Sequence, residues 1–175
     1  MRKVIVYIAC SVDGFIAKPN DDLSFLSLVE QEGEDYGYSA FIETVDTVIL
    51  GRKTYDWVMK QVPVFPHADK ETYVVTRTER LSTGNTQFYT GNVKALVNQL
   101  KSKPGKNIFV DGGAALIHSL LKDQLIDEFY ISLIPVLLGE GVRLFKNDFT
   151  EQTLELVAVK HFKKGLVQLH YKRSN

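Results

Sequence analysis

Two short segments of the chain combine glycine with features that bind anions. Residues 107–118 run from a β-forming stretch into Gly112 and Gly113 and then into a helix-forming stretch. Because glycine has no Cβ, the backbone of such a turn can approach a ligand closely. The free N–H groups and the dipole at the start of the following helix favour an anion such as a phosphate. A purely structural turn is the alternative interpretation of this pair.

The second segment, residues 48–55, has the same order of strand, glycine and helix. Gly51 ends its apolar run. The first turn of the predicted helix then carries Arg52, Lys53 and Thr54. Cations there oppose the helix dipole, unless a polyanion lies between them and the helix; solvated surface cations are the alternative. Two such turns predict a site for a dinucleotide or similar polyphosphate, although neither matches the usual nucleotide-binding fingerprints.

The composition narrows the class of protein. The chain has 175 residues, of which 45% are hydrophobic, a formal net charge of zero and a pI near 6.9. It contains no basic stripe or block of like charge, so nucleic-acid and membrane-surface binding gain no support. The single Cys10 excludes an intramolecular disulfide and a thiolate zinc cluster. We expect a soluble cytoplasmic protein with a small-molecule substrate, no metal site, and no nucleic-acid or membrane partner.

The elements that would position these segments alternate between strand and helix. Apolar runs predict strands at 3–9, 46–50, 72–76, 87–89, 107–110 and 128–134, and helical patterns lie at 24–44 (interrupted by glycines), 53–61, 92–102 and 113–122. Segments 153–160 and 166–172 flank a Lys-Lys-Gly turn, which predicts a hairpin. We therefore predict one α/β domain over residues 1–175, with three layers around a mixed, mostly parallel sheet and an antiparallel C-terminal hairpin.

Five motifs occur in the order found in the dihydrofolate reductase-like superfamily. They lie at 9–17, 51–55, 110–113, 127–128 and 135–145. The chain most closely resembles RibD C-terminal domain-like proteins, the reductase domains of bacterial riboflavin biosynthesis, over nearly its whole length. This resemblance implies a dihydrofolate reductase-like fold, with NADPH lying across the carboxyl ends of the strands. It also favours a homodimer, since such domains commonly pair and the stretch 134–138 is apolar.

The resemblance assigns cofactor contacts residue by residue. The residues expected at the pyrophosphate and the adenosine side are Gly51, Arg52, Lys53, Thr54, Gly112 and Gly113. Thr76 and Arg77 would meet the adenine ribose and its 2′-phosphate, for which an arginine is well suited. Ala9 and Ile16 would border the nicotinamide.

The substrate side is assigned fewer residues. Asp35 occupies the position of the acid that binds the pterin ring in dihydrofolate reductases, and a solvated surface acid is the alternative. Asp13 in the first loop is the second catalytic candidate, because it lies at the nicotinamide side of the expected cleft. Folate itself is not expected as the natural substrate: the Leu-Pro-Trp of folate enzymes is missing, Lys70 replaces the arginine that grips the folate tail, and Ser39 replaces an aromatic residue.

The sequence thus predicts an NADPH-dependent reductase of a small nitrogen heterocycle, pterin-like or pyrimidine-like. One alternative is the 5-amino-6-(5-phosphoribosylamino)uracil reductase of riboflavin biosynthesis, as a free-standing domain. Deaminase chemistry by this chain is excluded, because it has no Pro-Cys-x-x-Cys. The other alternative is a non-catalytic nucleotide-binding protein that keeps the fold without the chemistry.

Overall fold

A mixed eight-stranded sheet lies at the centre of the computed structural model, which describes residues 1–174. The strands are β1 (Val4–Ser11), β2 (Phe15–Ala17), β3 (Val45–Gly51), β4 (Glu71–Val75), β5 (Thr86–Tyr89), β6 (Asn107–Val110), β7 (Glu128–Ile134), β8 (Val142–Arg143), β9 (Leu154–His161) and β10 (Val167–Arg173). The helices are α1 (Tyr38–Ile42), α2 (Arg52–Gln61), α3 (Val93–Ser102) and α4 (Ala114–Lys122), with 3₁₀-helices at Pro19–Asp21, Ser24–Val29 and Lys163–Gly165.

The sheet has the strand order β5-β4-β3-β6-β1-β7-β10-β9, and β2 pairs with β8 separately. The six strands from β5 to β7 are parallel, and β10 and β9 continue the sheet antiparallel. α3 and α4 pack on one face, and α1 and α2 on the other. Val48, Ile49 and Leu50 of β3 are consequently buried on both faces. The predicted three-layer α/β fold with an antiparallel C-terminal hairpin is confirmed.

Two local features of the first third depart from the sequence pattern. The helical pattern over 24–44 forms only a 3₁₀-helix and the five-residue α1, because Gly33 and Gly37 between them adopt positive φ angles of 76° and 85°. The short β2 was not predicted. It pairs with β8 through Phe15 and Arg143, and a pairing so distant along the chain leaves no local signal.

After the neighbouring strands β3 and β6, the chain continues in opposite directions along the sheet. β3 leads through α2 to β4 on one side, whereas β6 leads through α4 across β1 to β7 on the other. Since crossovers between parallel strands are right-handed, α2 and α4 lie on opposite faces of the sheet. In open α/β sheets, the crevice outside the carboxyl ends of two such strands is the usual place for a ligand.

Residues 1–174 contain neither a membrane-spanning helix nor a cluster of metal-binding side chains. No helix there is long and apolar enough to cross a membrane. The same residues contain no group of three or more His, Cys, Asp or Glu side chains arranged to hold a metal ion.

Candidate functional site

The two glycine-containing turns lie side by side where β3 and β6 end. Gly51 N donates a hydrogen bond of 2.8 Å to Gly112 O. Gly112 has a φ of 98°, and no atom lies within 4 Å of the position that a Cβ would take. A Cβ on Gly113 would lie 3.2 Å from Thr54 Oγ1, so α2 also touches the second turn. The structure therefore brings both predicted turns to one point, beside open space.

Both helices that begin at these turns have uncapped N-termini. Neither α2 nor α4 has a side-chain cap or an acidic residue in its first turn. By contrast, α3 is capped by Asn92, whose Oδ1 accepts a hydrogen bond of 3.0 Å from Ala95 N. The first N–H groups of an uncapped helix lack partners within the helix and attract anions. Two such ends at a glycine turn suit a pyrophosphate.

Positive side chains surround the start of α2. Arg52 Nη1 donates to Asp56 Oδ2, and Arg80 Nη1 donates to Asp56 Oδ1, each at 2.8 Å. Hydrogen bonds from Arg80 and then Arg52 hold the pKa of Asp56 below its usual range. Lys53 and Arg77 are exposed. Asp56 pairs with two of these four cations, Arg52 and Arg80, and no ion pair to Lys53 or Arg77 occurs within residues 1–174, so this edge of the sheet has an excess of positive charge. Arg80 could not be predicted from the sequence, because its ion pair with Asp56 joins residues 24 positions apart.

Thr76 follows β4 and lies beside the first turn, because Gly51 and Val75 are register partners. Its hydroxyl accepts a hydrogen bond of 3.1 Å from Thr78 N and lies 3.2 Å from Thr78 O, to which it donates. Thr76 is only 8% exposed. Its side chain therefore fixes the loop that carries Arg77, and a contact with the ribose stays a prediction.

A cavity of about 330 Å³ lies between β1, β7, α1 and the 3₁₀-helix Ser24–Val29. It opens on the β7 side of β1, whereas the glycine turns lie on the other side. Ala9 and Asp35 both line this cavity. A residue predicted to border the nicotinamide and a residue predicted to hold the substrate are thus brought together from separate segments.

Asp35 lies at the rim of the cavity and is exposed. Its carboxylate accepts hydrogen bonds from Ser39 N at 2.9 Å and Gly37 N at 2.8 Å. Hydrogen bonds from Ser39 and Gly37 hold its pKa below the usual range, so Asp35 is ionised at neutral pH. Each carboxylate oxygen has a further lone pair, which leaves the group able to accept a hydrogen bond from a ligand.

The loop after β1 is held by the segment that follows β7. Asp13 accepts hydrogen bonds from Ser11 Oγ at 2.6 Å, Gly139 N at 2.7 Å and Leu138 N at 3.1 Å. These bonds, led by that from Ser11, lower the pKa of Asp13 to about 2. Through these hydrogen bonds Asp13 holds the loop in place. Its catalytic role stays a prediction. Ile16 is half-buried and packs against the main core.

Asp111 is an acid at the same edge to which the sequence assigned no role. It is half-buried at the end of β6, directly before Gly112, and burial raises the pKa of its carboxyl to about 7. Tyr38 lines the cavity, and its hydroxyl lies 3.1 Å from His67 Nε2. Burial raises the pKa of Tyr38, and the charge of Asp111 adds to this effect. Asp111 therefore lies near both the glycine turns and a cavity residue.

Known proteins share this architecture over nearly the full chain. The family model described as RibD C-terminal domain matches residues 2–168. The uncharacterized protein YwjB of Bacillus subtilis (strain 168) is 44% identical over 174 residues, which cover 99% of each chain.

Solved structures are similar to this chain in their fold. The crystal structure of a "Putative riboflavin biosynthesis protein" from Shewanella sp. PV-4 has a TM-score of 0.89 at 29% identity, over 99% of both chains. A deaminase/5-amino-6-(5-phosphoribosylamino)uracil reductase of Thermotoga maritima has a TM-score of 0.73 at 15% identity, over 99% of this chain and 57% of its own. Dihydrofolate reductase from Enterococcus faecalis, complexed with NADP(H), has a TM-score of 0.69 at 19% identity, over 99% and 97%. The last two show the fold alone, which is dihydrofolate reductase-like.

Proposed function

This chain belongs to the RibD C-terminal domain family, and we propose that it is an NADPH-dependent reductase of a small nitrogen heterocycle. The observation that carries this proposal is the meeting of Ala9 and Asp35 in one cavity, next to the joined turns at Gly51 and Gly112. The turns suit the phosphates of a dinucleotide, and the cavity offers a carboxylate to a ring. A dinucleotide with its phosphates at the turns would thus extend past the end of β1, so that its nicotinamide meets the acceptor ring beside Ala9.

The residues present fit NADPH. The backbone N–H groups at the starts of α2 and α4 would hold the pyrophosphate, and Gly112 leaves room for it. Arg77 would pair with the 2′-phosphate. Ala9 has a small side chain, so a flat ring can approach β1 closely there. When bound, the cofactor would supply a hydride to the substrate.

Asp35 would orient the substrate ring and stabilise its protonated form. Hydride attack on a C=N bond requires positive charge on that unit in the transition state, and a carboxylate placed at the ring stabilises this charge. Because its pKa is lowered, Asp35 acts as an acceptor at neutral pH, and water would deliver the proton.

Two other functions have a specific observation in their favour. The likeness to the Thermotoga maritima enzyme supports the 5-amino-6-(5-phosphoribosylamino)uracil reductase. The hydrogen bonds from Gly37 and Ser39 to Asp35 would equally suit a purely structural acid in a non-catalytic nucleotide-binding protein.

The test is oxidation of NADPH in the presence of dihydropterins, flavins and aminopyrimidines. We expect turnover with at least one ring, falling as pH rises because the protonated substrate becomes scarce. Asp35→Asn should lower turnover about 10²- to 10⁴-fold while leaving NADPH affinity nearly unchanged. Glu32→Gln, an exposed neighbour, is the matched control and should retain full activity. Binding of NADPH without oxidation by any ring would instead favour the non-catalytic protein.

A further inference from the structure

The walls of the cavity beside β1 are mostly apolar. Leu26 and Val29 of the 3₁₀-helix line it together with Ile134 and Leu166. Its volume of about 330 Å³ lies at the small end of the range for ligand sites, about 300–1,000 Å³. The cavity therefore suits a compact ring system without a long polar extension.

Within residues 1–174, the cavity is lined by acidic residues and not by basic ones. Asp35 and Glu30 line it, and no Lys, Arg or His residue does so among the described residues. Hydrogen bonds from Ser39 and Gly37 lower the pKa of Asp35, which is therefore ionised at neutral pH. A phosphate dianion placed inside would lose its hydration and face like charge.

Two lysines flank the cavity without lining it. Lys164, on the turn between β9 and β10, donates a hydrogen bond to the backbone oxygen of Glu30. Lys18, on the other flank, donates to Ser24 Oγ at 2.8 Å. Both ammonium groups thus hydrogen-bond to segments next to the cavity, and neither lysine is among the residues that line it.

The polar atoms inside favour a ring with N–H groups. The carboxylate of Asp35 accepts hydrogen bonds at the rim. On the sheet side, Ser132 Oγ accepts a hydrogen bond of 3.1 Å from Gln168 Nε2, and its own hydroxyl proton can be donated to a ring nitrogen or carbonyl. An acceptor and a donor therefore both line an apolar space.

Resting on the proposed reductase function, we infer that this cavity takes a neutral or protonated nitrogen ring that bears N–H donors and carries no phosphate. Asp35 accepts from the ring N–H groups, and Ser132 donates to a ring nitrogen or carbonyl. A ribosylaminopyrimidine 5′-phosphate is disfavoured, because Asp35 and Glu30 line the cavity and none of the other described lining residues is basic. The substrate class therefore differs from the phosphorylated pyrimidine named for the Thermotoga maritima enzyme.

The test compares 5-amino-6-(5-phosphoribosylamino)uracil with the same compound lacking its phosphate. Both are titrated with and without saturating NADPH, by the tyrosine fluorescence of the protein, since Tyr7, Tyr36 and Tyr38 line the cavity. We expect the unphosphorylated compound to bind at least about tenfold more tightly, as like charge in a weakly solvated site implies. Glu30→Gln should reduce the ratio of the two affinities by about threefold or more. Glu151→Gln removes the same charge from an exposed position that does not line the cavity, and it should leave the ratio of the two affinities unchanged.

Equal or tighter binding of the phosphorylated compound, above all if Lys164→Ala then weakens it, would overturn the inference. Failure of both compounds to bind would overturn it as well. Preferential binding of the unphosphorylated ring without any NADPH oxidation would support the inference while rejecting the reductase function, so the two can fail separately.

Discussion

Asp111 shows how the position of one residue can prepare an anion site. Its carboxyl lies at the carboxyl end of β6, next to the turn predicted to hold a pyrophosphate, where a negative charge would repel the ligand. Burial raises the pKa of this group to about 7, so the carboxyl is largely neutral below that pH. The same shift makes the stability of the protein depend on pH.

We expect Asp111→Asn to stabilise the protein above pH 7. Between about pH 4 and pH 7 the folded protein binds more protons at this carboxyl than the unfolded chain, so the free energy of unfolding falls as pH rises through that range. The amide does not titrate and avoids this loss, which amounts to as much as about 4 kcal/mol at pH 8. Urea unfolding of the parent protein and of Asp111→Asn at pH 4.5 and pH 8 measures the difference in the free energy of unfolding. A difference of equal size at both pH values would contradict the prediction.

Cofactor preference should depend on Arg77. A charge-assisted hydrogen bond to the 2′-phosphate is worth about 1.5–3 kcal/mol, so NADPH should bind roughly 10- to 100-fold more tightly than NADH. Arg77→Ala should remove this preference and leave NADH affinity unchanged. Lys122→Ala, which removes a cation from the far end of α4, is the control. Fluorescence titration checks both affinities, and loss of preference in Arg80→Ala alone would move the phosphate contact to Arg80.

At the scale of elements, the boundaries follow from local chemistry wherever an apolar run meets a strong breaker. The predicted strands 107–110 and 128–134 agree with β6 and β7, because glycines and Pro135 limit them. The order β3-β6-β1 could not be derived from hydrophobic pattern, since all three strands are buried on both faces. The resemblance to a known fold assigned both glycine turns to one cofactor, and in this way implied the proximity of Gly51 to Gly112. The shape of the cavity depends on Gly33 and Gly37, whose φ angles the sequence does not reveal.

The turn after β6 should lose cofactor binding when it gains side chains. Gly112→Ala is the most direct test, because its positive φ and open surroundings match those of Gly84, on the turn before β5. Alanine is strained at either position, so both variants should lose stability by about 1 kcal/mol or more. Only Gly112→Ala should also lose NADPH affinity, and Gly113→Val should abolish it. Circular dichroism establishes folding, and unchanged affinity in folded Gly112→Ala and Gly113→Val would make the turn purely structural.

At the scale of the whole molecule, the apolar stretch 134–138 is less available than the sequence implied. Ile134 is buried, and Val136 and Leu138 pack partly into a cluster around Phe25. Leu137 remains 72% exposed. A second apolar surface lies on β9, the edge strand, whose large apolar side chains Leu156, Val157 and Val159 are exposed. An edge strand with exposed apolar residues is a usual place for association.

We therefore expect a homodimer, with β9 as the contact. Symmetric dimers are the commonest oligomers, and burying this edge would satisfy its unpaired backbone groups. Sedimentation velocity at micromolar concentration should give twice the chain mass of 19.8 kDa. Val159→Lys should return the protein to the chain mass, because it places a charge in the contact, whereas Leu137→Lys should leave the dimer intact. Dissociation by Leu137→Lys alone would place the contact at 134–138, and a parent protein that sediments at the chain mass would reject the dimer.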